Sequence, residues 1–431
     1  MNEEARPRLY QGGAIASEDR RHPEPGDVLV ERDRITAVGP GLPAPEGAEI
    51  VDCRGRILLP SLYDVHVHAR EPGQEDKETI LTCSEAAING GVTGIVLMPN
   101  TEPSIDTGNL VATVLEKGRA CRIEVLTSGA ITKGRAGEEL AAIAGMKQAG
   151  VSLLTDDGFP VENPQLLRHA MEYAREFGLF LASHCETASL TAGGAMNEGA
   201  VSYSLGLPGI PAISEEICLD RDIRLGQFTG THIHIQHVTT ARGMETIRRF
   251  KQDGVRVTCE VSPHHLLFNE EHLRERGYDT NYKMNPPLRT AEDNARLLEG
   301  LIEGVFDVIA TDHAPHTEFE KHNDFVSAPF GITGLETALP SLFEAFVATG
   351  KFGWDVLVKR FSAEPRRLMG RDAIRIAPGQ SADFVVFDPA AATVFSRAFM
   401  KSRSVNTPFL DREVRGRVVE TVYRGKVLLR R

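Results

Sequence analysis

Eight short apolar segments, each closing on a polar cluster, constrain this chain more than any other feature. They read ILLPSLYDVHVH, GVTGIVLMPN, IEVLTSGA, GVSLLTDDG, LFLASHCE, THIHIQHV, RVTCEVSPHH and DVIATDHAP. Amphipathic stretches lie between them, among them DKETILTCSEAAINGG, GEELAAIAGMKQAG, PQLLRHAMEYAREFG and AEDNARLLEGLIEG. Several close on Gly, as a helix C-cap does. Strand–helix alternation requires parallel pairing through crossover helices. Eight such units closing on themselves predict a (β/α)8 TIM-type barrel, whose strand C-termini converge on one mouth.

The flanks carry strand patterns without helices. Before residue 57 come DVLVERDRITAVG and AEIVDCRG. After about residue 370 come ADFVVFDP and GRVVETVYRGKVLL, a hairpin pattern turning at Arg424-Gly425. Neither flank alone has the apolar surface of a stable domain, so both termini are expected to build one small composite β-sandwich. Residues 1–56 and 370–431 form its two parts, and residues 57–369 form the barrel. A length of 431 residues, with a prior of roughly 150 per domain, fits that division.

The charge balance of −12 excludes broad binding to nucleic acid or anionic membranes, which needs Lys and Arg in excess. Six scattered cysteines with no C-x-x-C pair read as free thiols in a reducing compartment. The opening MNEEARPRLY is too polar and acidic for a signal peptide, and no apolar run approaches the ~18 residues that span a bilayer. A cytoplasmic protein is expected.

The polar residues at the strand ends locate the chemistry. Asp64, His66 and His68 close the first strand, Asp156 and Asp157 the fourth, His184 the fifth, His237 the sixth and Asp312 the eighth. Side chains at i and i+2 of a strand share a face, so His66 and His68 can enter one coordination sphere. A lone H-x-H is weak; at the mouth of a barrel whose other strand ends carry His and Asp, it points to a metal. Asp156 and Asp157 precede Gly158, where either can serve a turn. A carboxylate there can instead bridge two divalent cations. His184 ends an apolar strand, and Cys185 beside it points to the opposite face. On the sixth strand His237, nearest the mouth, is favoured over His232 and His234. His264 and His265 read as supporting residues. Asp312 can ligate a metal and take a proton from a water whose pKa the metal lowers to about 7.

Four residues near the rim suit a small anion. Arg70 lies two residues beyond His68, on the same alternation if the strand continues, and a guanidinium forks onto a carboxylate. Asn100 in MPNT, Asn285 in KMNPPLR and His316 in DHAPH offer further polar groups.

Taken in order, DVHVHAREPGQEDKETI, GGVTGIVLMPNT, SGAITKGRAGEEL, LLTDDG, SHCET, YKMNPPLR, ATDHAPHT and PFGITGLETALP resemble the motifs of long-chain dihydroorotases, in the amidohydrolase superfamily. The likeness covers the barrel almost end to end, and HVHxREPG with MPNT and NPPLR separates this family from its neighbours. It implies that His66, His68, Asp157, His184, His237 and Asp312 hold one or two zinc ions. Asp157 stands where related barrels carry a carbamylated Lys; the nearest lysine, Lys147, is in the preceding helix. Arg70, Asn100, Asn285 and His316 match substrate-contacting positions, and Phe330-Gly331 matches a backbone contact. Ala69, Met284 and Leu154-Thr155 depart from the usual residues without removing a functional group.

The implied reaction is the interconversion of N-carbamoyl-L-aspartate and L-dihydroorotate in pyrimidine biosynthesis. Hydroxide activated by the metal attacks the ring amide, and Asp312 shuttles the proton to the ring nitrogen. Arg70, Asn100 and His316 hold the substrate carboxylate. The likeness also implies a homodimer, and association with aspartate transcarbamoylase is compatible with it. Two readings compete: another cyclic-amide hydrolase of allantoinase or dihydropyrimidinase type, whose rings leave Arg70 without a partner, and a non-catalytic scaffold for aspartate transcarbamoylase. The complete ligand set argues against the scaffold.

Overall fold

The computed structural model describes residues 6–431. The leader reading rests in part on residues 1–5, which lie outside them. The eight apolar segments form a closed parallel barrel. Leu62–Val67 pairs with Val92–Leu97, which pairs with Glu124–Thr127. Leu154 then bridges Gly129 to Leu181, in parallel on both sides. Leu181–Ser183, Ile233–Ile235, Val257–Val261 and Val308–Ile309 follow in order. Closure comes from Val67, which bridges His313 in parallel, and from the His68 amide, which donates to the His313 carbonyl at 2.9 Å. Among the described residues, no helix is long and apolar enough to cross a membrane.

Local sequence explains the helices that surround this barrel. Pro164–Glu176 starts at Asn163, whose side chain accepts from the amides of Gln165 and Leu166. It places Pro164 in the first turn and buries Leu167, Ala170, Met171 and Ala174, the spacing of one helical face. Gly150 and Gly304 close two of the expected helices at φ 103° and 87°, conformations that suit Gly.

The first apolar segment is two strands, not one. Ile57–Pro60 pairs with Arg8–Ser17 and with Phe384–Val394, in the sheet built from the termini. Pro60 has no amide to extend that ladder, and the chain enters the barrel at Leu62. The barrel ladder then slips between Asp64 and Val67. Tyr63 before the slip and Val65 within it pack inside the barrel with Val96, Met98, Phe180 and Ala310. After it, Val67 joins the apolar layer under the helices. Such a slip re-aims the side chains beyond it.

The termini form a β-sandwich. Its strands run in the order Lys426–Arg430, Glu413–Tyr423, Phe384–Val394, Ile57–Pro60, Arg8–Ser17, Arg20–Glu31 and Arg34–Gly39, with Glu49–Asp52 also on Arg8–Ser17. Tyr10 and Phe384, from opposite ends of the chain, meet edge to face at 4.9 Å in its core. Arg424 and Gly425 both take positive φ, 48° and 71°, as a two-residue hairpin turn demands.

Candidate metal centre and substrate rim

The barrel mouth gathers His66, His68, Asp157, His184, His237 and Asp312. Two triads meet on one carboxylate: His66, His68 and Asp157 on one side, and Asp157, His184 and His237 on the other. His66 Nε2 lies 3.4 Å from Asp157 Oδ1 and 3.4 Å from Asp312 Oδ1. His68 Nε2 lies 3.0 Å from Asp312 Oδ1 and 3.6 Å from Asp157 Oδ2. His184 Nδ1 and His237 Nε2 face each other at 2.9 Å, each 3.9 Å from Asp157 Oδ1. All six side chains are buried.

The outer nitrogens explain what these imidazoles present inward. His66 Nδ1 donates to Glu260 Oε1 at 2.6 Å, His68 Nδ1 to Asn100 Oδ1 at 2.8 Å, and His184 Nε2 to Glu186 Oε2 at 3.1 Å. Each ring thereby turns a lone pair toward the carboxylates, and His66 Nε2 is a buried nitrogen with no hydrogen-bond partner. Lone pairs aimed at carboxylate oxygens repel unless positive charge lies between them. Burial opposes charge on His66, yet Glu260, Asp157 and Asp312 outweigh it and raise its pKa well above the ordinary value. Burial and neighbouring His184 lower the His237 pKa to about 3, keeping it an unprotonated donor. Four imidazoles and two carboxylates in this arrangement fit a divalent metal, and Asp157 can touch two.

Asp312 completes the set from a strained position, φ 49°. His237 at φ 30° and Arg70 at φ 59° share the left-handed region, which costs a non-glycine residue about 1–3 kcal/mol. Burial would raise the Asp312 pKa, but His66, His68 and His237 hold it well below the usual carboxylate range.

Asp156 faces away. Its carboxylate accepts from the amides of Ile131 at 2.8 Å and Thr132 at 3.1 Å and from the Thr132 hydroxyl, while burial raises its pKa to about 6. Asp64 also stays out of the cluster: it accepts from the amides of His66 and Thr311 and ties the first strand to the eighth. His232 and His234 bond Thr258, and His234 also donates to Glu260. His265 bridges the Ser262 hydroxyl and the Pro286 carbonyl, while His264 Nε2 is buried without a partner. Cys185 turns from the mouth toward Cys218 and Asp222.

Arg70 reaches the rim by a route other than strand alternation, since the strand ends at Val67 and Arg70 is left-handed. Its Nε donates to the Pro315 carbonyl at 3.1 Å, and its Nη2 lies 3.1 Å from His316 Nε2. Burial brings its pKa down to about 10. His316 Nε2 donates to the Phe330 carbonyl at 2.8 Å. A Cβ on Gly331, at φ 120°, would stand 2.6 Å from Ala314 Cβ, so the chain passes close because that residue is Gly. Asn100 Nδ2 lies 3.4 Å from Asp157 Oδ2, and Asn285 donates to Glu186 Oε2 at 2.6 Å. A cavity of about 510 Å³ opens over Glu186, Asn285 and Phe330.

Sequence reasoning passed over Glu260 and Glu186. Glu260 binds His66 and His234 and accepts from the His237 amide at 3.2 Å. A carboxylate inside the apolar run VTCEV was the signal: burying it demands partners. Opposing its burial, His66 and His234 hold its pKa at about 2. Glu260→Gln is expected to weaken metal affinity by about 10–100-fold, read by competition with a chelator, because outer partners orient metal-binding imidazoles. Unchanged affinity would assign Glu260 to packing alone.

A family model described as Dihydro-orotase-like matches residues 55–243. The dihydroorotase of Pelotomaculum thermopropionicum is 43% identical over 421 residues, 98% of this chain and 98% of that protein. That of Pelobacter propionicus is 44% identical over 424 residues, 98% and 99% of the two chains. Among solved structures, the dihydropyrimidinase of Brevibacillus agri superposes with a TM-score of 0.83 at 24% identity, over 98% of this chain and 95% of that one. The L-hydantoinase of Arthrobacter aurescens gives 0.84 at 24%, over 98% and 96%. Those superpositions establish the fold, a TIM-type barrel with a sandwich of terminal strands. The full-length sequence likeness establishes the rest: the chain belongs to the dihydroorotase family.

Proposed function

We propose that this chain interconverts N-carbamoyl-L-aspartate and L-dihydroorotate, with one or two zinc ions held by His66, His68, Asp157, His184, His237 and Asp312. The observation that carries the reading is the rim of buried Arg70 and His316 joined to the Phe330 carbonyl, beside two triads sharing Asp157. It supports an anionic ring substrate, where a hydantoin or allantoin ring would leave Arg70 without a carboxylate. Zinc suits the donor set of imidazole nitrogen and carboxylate oxygen. When bound, it supplies Lewis acidity that polarises the amide carbonyl and lowers the pKa of water.

The chain's own groups do the rest. Arg70 spends Nε on the Pro315 carbonyl, leaving Nη1 and Nη2, the latter beside His316, to meet the carboxylate with Asn100 and His316. Asn285 and the Phe330-Gly331 backbone orient the ring amide. Asp312, ionised and fixed beside His68, takes the proton of the attacking water and delivers it to the departing ring nitrogen. In ring closure it runs the transfer backwards.

The same reading places the enzyme in the cytoplasm as a homodimer, which light scattering would register as twice the chain mass. Co-purification decides whether aspartate transcarbamoylase joins it. Dialysis against a chelator is expected to abolish dihydroorotate turnover, and added zinc to restore it at one to two ions per chain. Full activity in metal-free protein would contradict the proposal.

A further inference from the structure

Two lysines, Lys283 and Lys321, are buried behind the rim with 2% and 6% exposure. Lys283 Nζ donates to the carbonyls of Val326 at 2.7 Å and Ala328 at 2.6 Å. Lys321 Nζ donates to those of Pro329 and Gly331, both at 3.0 Å. Four carbonyls of one short loop are therefore turned inward onto two ammonium groups. The ends of the clamp are joined as well: the Gly331 amide donates to the Lys283 carbonyl at 2.9 Å, and the Thr280 hydroxyl to the Lys321 carbonyl at 2.6 Å. Lys283 Nζ also sits 4.3 Å from the Phe330 ring centroid.

Among the described residues, neither ammonium has a carboxylate within ion-pair distance. Burial accordingly lowers the Lys321 pKa to about 7 and that of Lys283 to about 8. An apolar contact would hold a loop without the cost of desolvating a cation. The loop so held ends on Phe330 and Gly331. The Phe330 carbonyl accepts from His316 Nε2, which touches Arg70.

We infer that Lys283 and Lys321 are positioning residues for the substrate carboxylate: they fix the 326–331 loop so that Phe330, His316 and Arg70 are aligned for it. The inference rests on the proposed function. It predicts that their loss weakens binding of carboxylate-bearing rings while leaving the reacting centre intact.

The test uses the full-length, metal-replete chain. In Lys321→Met and Lys283→Met, KM for dihydroorotate and Kd for orotate are expected to rise about 10-fold, with kcat within about 3-fold and metal content unchanged. Lys321→Arg, which keeps the cation, is expected to recover most of the affinity. Hydrogen exchange should show lost protection confined to residues 326–333. Should Lys321→Met fail to accumulate folded, Lys283→Met and Lys321→Arg carry the comparison. Unchanged KM and Kd in the folded variants, or a fall in kcat at constant KM, overturns the inference. A wild-type chain inactive on dihydroorotate would instead refute the functional reading. Hydrogen exchange would then decide the clamp by itself, and unaltered protection at 326–333 would reject it.

Discussion

Asp312→Asn is expected to lower kcat about 10³-fold in both directions of the reaction, the scale of a lost general acid–base. The amide keeps the size and one oxygen donor of the carboxylate but cannot take a proton from water. Asp312 is buried among His66, His68 and His237, which hold it ionised against the effect of burial, the form the proposed mechanism needs in a base. Its backbone is left-handed, a conformation in which Asp and Asn are among the least penalised residues, so the substitution should preserve the local fold. Metal analysis beside the kinetics separates proton transfer from ligation, because Asp157 and four histidines still surround the centre. Equal losses in hydrolysis and cyclisation follow from microscopic reversibility. A variant within 10-fold of wild type in either direction would remove Asp312 from the proton path.

Arg70→Ala should cost about 3–5 kcal/mol of transition-state binding for dihydroorotate, the penalty for leaving one partner of a buried charge pair alone. That is a fall of roughly two to four orders of magnitude in kcat/KM. Its guanidinium is anchored at Nε by the Pro315 carbonyl, so its two terminal amines are oriented before the substrate arrives. Arg70→Lys should recover only part of the loss, since an ammonium is a point charge without the planar fork. Metal content should not change, because the Arg70 guanidinium bonds Pro315 and adjoins His316, neither of them among the six side chains proposed to hold the metal. An unchanged kcat/KM would mean that the carboxylate binds elsewhere.

Much of the barrel was legible because its signal is repeated. Eight apolar runs and their Gly-capped helices each say the same thing, so the near-absence of ladder pairing at the fourth strand does not hide the pattern. The sandwich was harder to read. Arg8–Ser17 went unrecognised because Gly12 and Gly13 interrupt its alternation, at a point where the ladder shifts register. The start of Arg20–Glu31 is charged and carries two prolines, so it does not look like a strand. His66, His68, His184, His237 and Asp312 stood out as polar groups at the ends of apolar strands. Asp156 and Asp157 were indistinguishable by spacing; they part because one meets the amides of Ile131 and Thr132 and the other meets four imidazoles. Arg70 was placed at the rim for a reason the backbone does not honour. Glu260, Lys283 and Lys321 act on partners at other strand ends or loops; the apolar run around Glu260 signals that it needs partners, but no local pattern says which.

The most direct test of the central claim is a comparison of kcat/KM for dihydroorotate, hydantoin and allantoin on the zinc-loaded chain. The account predicts strong preference for dihydroorotate, with the difference largely erased in Arg70→Ala. Preferential turnover of hydantoin or allantoin, with dihydroorotate untouched, would contradict it.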